Sequence, residues 1–273
     1  MRGYVLGAFT AVLLGFTAAQ EAPALLWFDP ATAGDPLGSF RLTRPDRVIT
    51  VQQFAPQAEG GQFRTNVPNC EAGVRVSTVF APRPFAVVTQ VAETSIVSAV
   101  VLAQRPEGEG AAETLTMFAG SVSVDDSFCP VDISRSGEPE VFILQGHTRI
   151  SGTELEYDNG SGIADLTGPV RLLREPGEDA PSITASAEAL SFDTATDLST
   201  LTGNVIIRSD SRTSYADSLI LDEEAGVATL VGDPARSVDG SNEIRGQRLL
   251  YFLDSDDVIV EGGVSGTIEL ELR

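Results

Sequence analysis

The sequence predicts an all-β protein. Three observations carry that prediction: apolar and polar residues alternate with a period of two, clusters of Asp, Asn, Gly and Ser interrupt the alternation, and one strand–turn–strand pattern returns about every thirty residues in the second half. Composition agrees. Of 273 residues, 42% are hydrophobic and 21% charged, enough for a packed core. The 26 Gly and 15 Pro suit many short strands and turns better than long helices.

The pattern is clearest in four segments that superpose without gaps: Leu155–Val170, Leu190–Val205, Leu219–Pro234 and Leu249–Val264. Each opens with an alternating apolar pair, Leu155 and Tyr157, Leu190 and Phe192, Leu219 and Leu221, or Leu249 and Tyr251. Alternation gives a strand one apolar face and one wet face. A turn follows, rich in residues that cap turns and tolerate positive φ. The second strand carries a Gly on its apolar face, as in Leu166-Gly168-Val170-Leu172, Leu201-Gly203-Val205-Ile207, Leu230-Gly232-Pro234 and Val258-Val260-Gly262-Val264, taken every second residue. These glycines stand 35, 29 and 30 residues apart. A glycine inside a strand marks a bulge, a bend or a close approach, so the pattern predicts strands that bend at one place in every layer. The chain ends in Ile268, Leu270 and Leu272 alternating with Glu269, Glu271 and Arg273, a half-buried strand with a charged outer face.

The first half is less regular. Phe118-Ala119-Gly120 and Leu144-Gln145-Gly146 resemble the second-strand signature, which extends weaker copies back to about residue 110. Upstream, Val48–Phe54, Val74–Phe80 and Phe85–Ala103 read as strands, with Pro82 and Pro84 breaking the run between the last two. Arg105–Ala112 and Glu175–Pro181 read as loops, and no amphipathic helix is predicted. The domain reading is therefore an export segment at 1–19, a β-rich region at 20–145, either separate or a degenerate continuation, and a regular repeat region at 146–273.

The first twenty residues resemble a secretory signal: Arg2, an apolar run from Tyr4 to Phe16, then Thr17-Ala18-Ala19 for cleavage before Gln20. The run is short for a membrane-spanning helix, which needs about 20 residues. A retained anchor is the alternative. Export places Cys70 and Cys129 in an oxidising compartment, where an even count suggests one disulfide; two unpaired thiols are the other possibility.

Acidic residues outnumber basic ones 39 to 18, a formal charge of −21. Self-repulsion keeps such a surface soluble, and nucleic acid is disfavoured because phosphate binding needs a basic face. The acidic clusters at Asp125-Asp126 and Asp254–Asp257 match no calcium loop and are expected to be solvated turns, so neither metal nor cofactor is expected. His147 is the single histidine, no Gly-x-Ser-x-Gly elbow accompanies it, and no phosphate-cradling loop is present. The expectation is a binding protein and not an enzyme.

The segments Ala187–Val205, Tyr215–Asp222, Gly232–Ala235 and Ile244–Tyr251 together resemble the organic-solvent-tolerance (OstA-like) family, the LptA-like proteins of lipopolysaccharide transport. The resemblance covers about the last 120 residues. It implies an open, taco-shaped antiparallel β-jellyroll whose greasy groove carries the acyl chains of an amphiphile. It also implies a periplasmic location and strand edges that pair with other β-jellyroll envelope proteins. The strong negative charge departs from the family and opposes a phosphorylated head group unless divalent ions bridge or the cargo is another lipid.

The candidate lipid-groove residues are the inward stripe Leu155, Tyr157, Leu166, Val170, Leu190, Phe192, Leu201, Val205, Ile207, Leu219, Leu221, Leu230, Tyr251, Val260 and Val264. Two readings stay open for them: a closed dry core, or a groove in which each methylene leaving water gains about 0.8 kcal/mol. The matching functional alternatives are a periplasmic carrier or bridge for lipopolysaccharide-like amphiphiles, and a structural β-solenoid assembling by its edges without cargo.

Overall fold

The computed structural model describes residues 27–44, 47–65, 69–71, 73–108, 111–175, 182–209, 212–253 and 257–267. The export segment, Asp254–Asp256 and the C-terminal Ile268–Arg273 lie outside the described residues. Within them the protein is all-β, with one short 3₁₀ turn at Gln57–Glu59.

Fourteen shorter strands come first: β1 (Gly38–Thr43), β2 (Val48–Gln53), β3 (Gln62–Arg64), β4 (Asn69–Glu71), β5 (Val74–Phe80), β6 (Val87–Val91), β7 (Thr94–Ser98), β8 (Val100–Pro106), β9 (Thr114–Phe118), β10 (Gly120–Val124), β11 (Pro130–Arg135), β12 (Val141–Gln145), β13 (Thr148–Gly152) and β14 (Glu154–Asp158). Six long strands of 11 to 13 residues follow: β15 (Ile163–Arg174), β16 (Ile183–Asp193), β17 (Leu198–Arg208), β18 (Arg212–Asp222), β19 (Val227–Asp239) and β20 (Asn242–Phe252). Two short ones, β21 (Val258–Glu261) and β22 (Ser265–Thr267), close the described ladder. All but the β10–β11 hairpin join one antiparallel 20-stranded sheet.

The pairing register shows that this sheet is folded along a crease into two walls. Each long strand crosses the crease, and its two ends lie in different walls. Wall one runs β1, β2, β6, β7, β12, β13, and then the halves of β15–β20 nearest residues 172, 185, 206, 214, 237 and 244. Wall two runs β3 and β4 beside β5, then β8, β9, β14 and the other halves of β15–β20. Shorter strands obey the same rule in pairs: β7 continues into β8 through Ala99, and β13 into β14 through Thr153. The ladder is open, with β1 in wall one and β3 and β4 in wall two at one end of the described strands, and β21 and β22 at the other.

The crease explains the glycines. Strands running from wall two to wall one insert extra residues there: Thr167 and Val170 pair with Ala189 and Ala187, and Thr202 and Val205 pair with Ser218 and Ala216. The added residue in each case belongs to Gly168-Pro169 or Gly203-Asn204, with φ of +94° at Gly168 and +81° at Gly203. Strands returning from wall one carry no insertion and place Ala187, Ala216 or Gly246 at the bend. A bulge increases local twist and bends the strand, so alternating bulged and unbulged crossings fold the sheet one way along its whole length. The predicted bend is therefore present, with two local departures. In β19 the insertion is Asp233-Pro234, which leaves Pro234 exposed and puts Ala235 inside. Gly146 lies in the turn between β12 and β13, not at the crease, whereas Gly120 follows the crease position of β9.

The irregular first half has a separate cause. Its walls are covered on their outer faces as well. Ala86, Val88, Val97 and Phe142 on wall one lie under Trp27, Phe28 and Phe54, while Ala99, Val100, Leu102 and Phe118 on wall two lie beside Val122 of the β10–β11 hairpin. Strands buried on both faces need apolar residues at every position, which produces the near-continuous run Phe85–Ala103. The whole hairpin, Ala119–Glu140, is an insertion at the crease between β9 and β12. Cys70 and Cys129 form a disulfide, Cα–Cα 5.3 Å, that ties the hairpin tip to β4.

Candidate functional site

The space between the walls is the candidate site. One continuous core runs along it from Ile49 and Val51 near the first edge to Leu249, Tyr251 and Leu253 near the last. Of the stripe residues, Leu155, Tyr157, Leu166, Val170, Leu190, Phe192, Leu201, Val205, Ile207, Leu219, Leu221, Leu230 and Tyr251 are all buried in this core. Val260 is half-buried against it. Val264 is 65% exposed, because the Gly262-Gly263 bulge precedes it and it faces solvent at the outermost rung described.

Among the described residues the interior is filled by these side chains. Leu155, Leu166, Leu190, Leu201, Leu219 and Leu230 follow one another on neighbouring strands of wall two, paired directly as Leu155–Leu166, Leu166–Leu190, Leu190–Leu201, Leu201–Leu219 and Leu219–Leu230. Opposite the last of these, wall one presents small groups: Ala185, Ser214, Ala235 and Ser237, the two serines sharing a 2.9 Å hydrogen bond. The stripe identified from the sequence lies mostly in wall two. The wall-one halves of β16 and β18 were missed because Ala and Ser give no apolar alternation.

Two polar bridges cross the mouth of the fold, where the walls diverge from the crease. Near the first edge, Arg47, preceding β2 in wall one, donates from Nη1 to the Tyr157 hydroxyl in wall two at 3.4 Å. Further along, Thr148 and Arg174 are cross-strand partners at the rim of wall one. Thr148 donates its hydroxyl to the Glu223 carboxylate in the β18–β19 turn of wall two. Arg174 pairs with Glu223 at 3.4 Å and donates to the Leu253 carbonyl at 3.5 Å. Beneath this bridge lies a wholly apolar seam of about 10 Å³ between Leu172, Ile183, Leu221, Ala228, Tyr251 and Leu253. That is about the room of one water. Among the described residues the buried Tyr251 hydroxyl has no hydrogen-bond partner.

The rim of wall two is acidic, and its carboxylates hold turns. Asp158 ends β14 and accepts from the backbone N–H groups of Gly160 and Ser161, both at 2.7 Å; these bonds hold its carboxyl below the usual range. Asp193 does the same for Ala195, and Asp222 accepts from Ala225. The Asp that follows the first three apolar pairs is thus a turn cap. Glu113 is the exception: burial pushes its carboxyl up, and Arg105 beside it offsets part of the rise.

Elsewhere, an open cleft of about 680 Å³ lies between the Gln53–Gly61 turn, β3 and Val122–Val124 of the hairpin, with a mixed polar and apolar lining. His147 is exposed in the β12–β13 turn. Among the described residues no three His, Cys, Asp or Glu side chains converge as metal ligands, and no helix is long and apolar enough to cross a membrane.

The fold and site define a creased, open antiparallel β-ladder with an apolar interior. No family model matches the chain, and no curated protein matches it. Among solved structures, the chain is similar to LptH of Pseudomonas aeruginosa, the LptA-homologous periplasmic component of its lipopolysaccharide transport device. The identity is 11%, with a TM-score of 0.25, over 57% of this chain and 85% of that one. A likeness at that TM-score assigns no function to this chain.

Proposed function

We propose that this protein is an exported, periplasmic binding protein that shields the acyl chains of an envelope amphiphile between its two walls and docks neighbouring β-jellyroll proteins through its strand edges. The supporting observation is the interior itself: an apolar core that runs the whole described ladder, with polar bridges across its mouth. Acyl chains are held by area and not by fixed polar contacts, so an interior of Leu, Val and Ile suits cargo that slides. The outermost described strands, β1 at one end and β21 and β22 at the other, suit strand addition by a partner chain. The role is binding, without a chemical step and without a cofactor.

The filled interior favours one other reading, a structural ladder that assembles by its edges and carries nothing. Mass spectrometry of lipid co-purifying with the protein, extracted gently from its native envelope, separates the two. A defined amphiphile at about one per chain is the expected result and names the cargo. Protein that is lipid-free, and that takes up neither added envelope lipid nor a hydrophobic fluorescent probe, would overturn the carrier role in favour of the structural one.

A further inference from the structure

We propose that the cleft of about 680 Å³ between the Gln53–Gly61 turn, β3 and the β10–β11 hairpin is a docking site for a partner protein, which lays an extended segment of alternating apolar and basic residues there. The inference rests on the docking half of the reading above, names the chemistry of the partner, and does not depend on cargo.

The cleft falls in the range of about 300 to 1,000 Å³ that binding sites occupy. Both of its sides are fixed. On one, the buried Gln53 side chain donates from Nε2 to the Phe80 carbonyl at 2.9 Å. The turn that follows closes through the Glu59 and Gly61 N–H groups, which donate to the Pro56 carbonyl, both at 3.0 Å. Gly61 packs so tightly that a Cβ there would lie 2.2 Å from the Ala55 carbonyl oxygen. On the other side, the hairpin is anchored by the buried Val122 and again at its tip, where Cys129 is bonded to Cys70 and Arg64 stacks on Phe128 at 4.7 Å. A cleft held in this way loses little freedom when it is filled.

Its lining suits a polypeptide. Phe63, Phe80, Val122 and Val124 offer apolar contact, while Gln57, Gln62 and Ser123 offer neutral donors and acceptors to a backbone. Strand residues border it on two sides, Gln62–Arg64 of β3 and Val122–Val124 of β10, as in sites that receive an added strand. Charge sets the partner. Among the described residues that line the cleft, Arg64 alone is charged. Three exposed carboxylates stand at its rim: Glu59 lies between Gln57 and Gly60, Asp125 follows Val124, and Asp132 accepts from Ser123 Oγ at 3.3 Å. An extended segment turns alternate side chains to opposite faces, so apolar residues meet the lining while those between them meet this rim. A rim of carboxylates on a chain of net charge −21 attracts basic residues and steers them in. Arg64 opposes that charge, so its removal acts in the direction opposite to removal of a rim carboxylate.

The test titrates the disulfide-bonded protein against the fluorescein-labelled peptide KVKVKVK by anisotropy, with urea midpoints as the control on folding. Three peptides serve as comparisons: EVEVEVE, the block sequence KKKKVVV, and KVKVKVK with N-methylated valines, which cannot pair as a strand. KVKVKVK should bind at one per chain and about tenfold more tightly than any of the three. Glu59→Gln and Asp132→Asn should each weaken it about threefold, and Arg64→Gln should tighten it by a similar factor, while Arg64→Lys keeps the charge and the wild-type affinity. Gln57→Trp places a bulky ring in the cleft and should abolish binding. A benzophenone-labelled copy of the peptide should cross-link to Gln57–Arg64 or Val122–Val124. Equal binding of the block or N-methylated peptide, indifference to Gln57→Trp, or no binding at all would overturn the cleft. Cross-links on β1, β21 or β22 instead would overturn it and leave edge docking in place. Each of these outcomes leaves lipid co-purification, the measure of the carrier role, as a separate result.

Discussion

Leu201→Ala tests whether the interior is a packed core. Leu201 lies at the centre of β17 with 0% exposure, between Leu190 and Leu219 on the adjacent strands. Its replacement removes three carbons from a site walled by other leucines, where neighbours on two hydrogen-bonded strands cannot close the space. The loss combines the transfer free energy of the missing groups with a cavity contribution, and together they amount to about 3 to 5 kcal/mol. At roughly 2 to 4 °C per kcal/mol for a chain of this size, the melting temperature falls by about 6 to 20 °C. Thr200, the next residue, faces out between Ser191 and Ile220, and Thr200→Ala should stay within about 0.5 kcal/mol of wild type. Urea unfolding followed by circular dichroism reads both variants, and an unchanged slope confirms that the compactness of the two states is the same. A loss under about 1 kcal/mol for Leu201→Ala would refute the packed interior. It would mean that this position already touches water in the free protein, as in a permanently open groove.

Three further outcomes follow from the crease, the hairpin and the rim. Gly168→Ala should cost about 1 to 3 kcal/mol, because φ there is +94° and the new Cβ would lie 2.2 Å from Thr153 Oγ1; Thr153→Gly in the same chain should recover the steric part of the loss and not the backbone part, read by urea midpoint. Paired Cys70→Ser and Cys129→Ser should cost up to about 4 kcal/mol, since the bond closes a loop spanning 59 positions, and should expose the β10–β11 hairpin to proteolysis first; an unchanged cleavage pattern would show that the hairpin is held by Val122 and its neighbours alone. Glu113→Gln should raise stability at neutral pH. Its carboxyl is pushed up on folding, so the ionised form opposes folding above that raised value, and the penalty fades as pH falls through it toward the ordinary carboxylate range. Urea midpoints at pH 7 and pH 4 should therefore differ between variant and wild type at the first and converge at the second.

Much of the wall-two architecture was legible in the sequence. Leu155 and Tyr157, Leu190 and Phe192, and Leu219 and Leu221 alternate strictly because one face of each strand is buried and the other is wet, and alternation is the direct imprint of that asymmetry. The bend was legible too, since only Gly tolerates φ near +90° without strain, and Gly168 and Gly203 mark the places where it is needed. The Cys70–Cys129 disulfide agrees with the pairing that the even cysteine count suggested. The wall-one halves of the long strands left a fainter trace, because Ala185, Ala187, Ser214, Ala216 and Ser237 fill a narrow space with small groups that carry no hydropathy signal.

What the tertiary structure alone decided is where distant residues meet. No local pattern joins Thr148 and Arg174 to Glu223, or Arg47 to Tyr157, because the spacing between them is set by how far one wall is rotated past the other when the sheet creases. Nor does a sequence distinguish an interior that is filled from one that is open. Leu201 or Leu230 would alternate identically in either case, since periodicity records which face avoids water and not the distance to the opposing wall. That distance is set by the sum of bends along the crease, each contributed by a different pair of strands. The sequence by itself thus determined strands, bend sites and the inward face, while the three-dimensional fold decided that the faces close on each other and which polar pairs span the mouth.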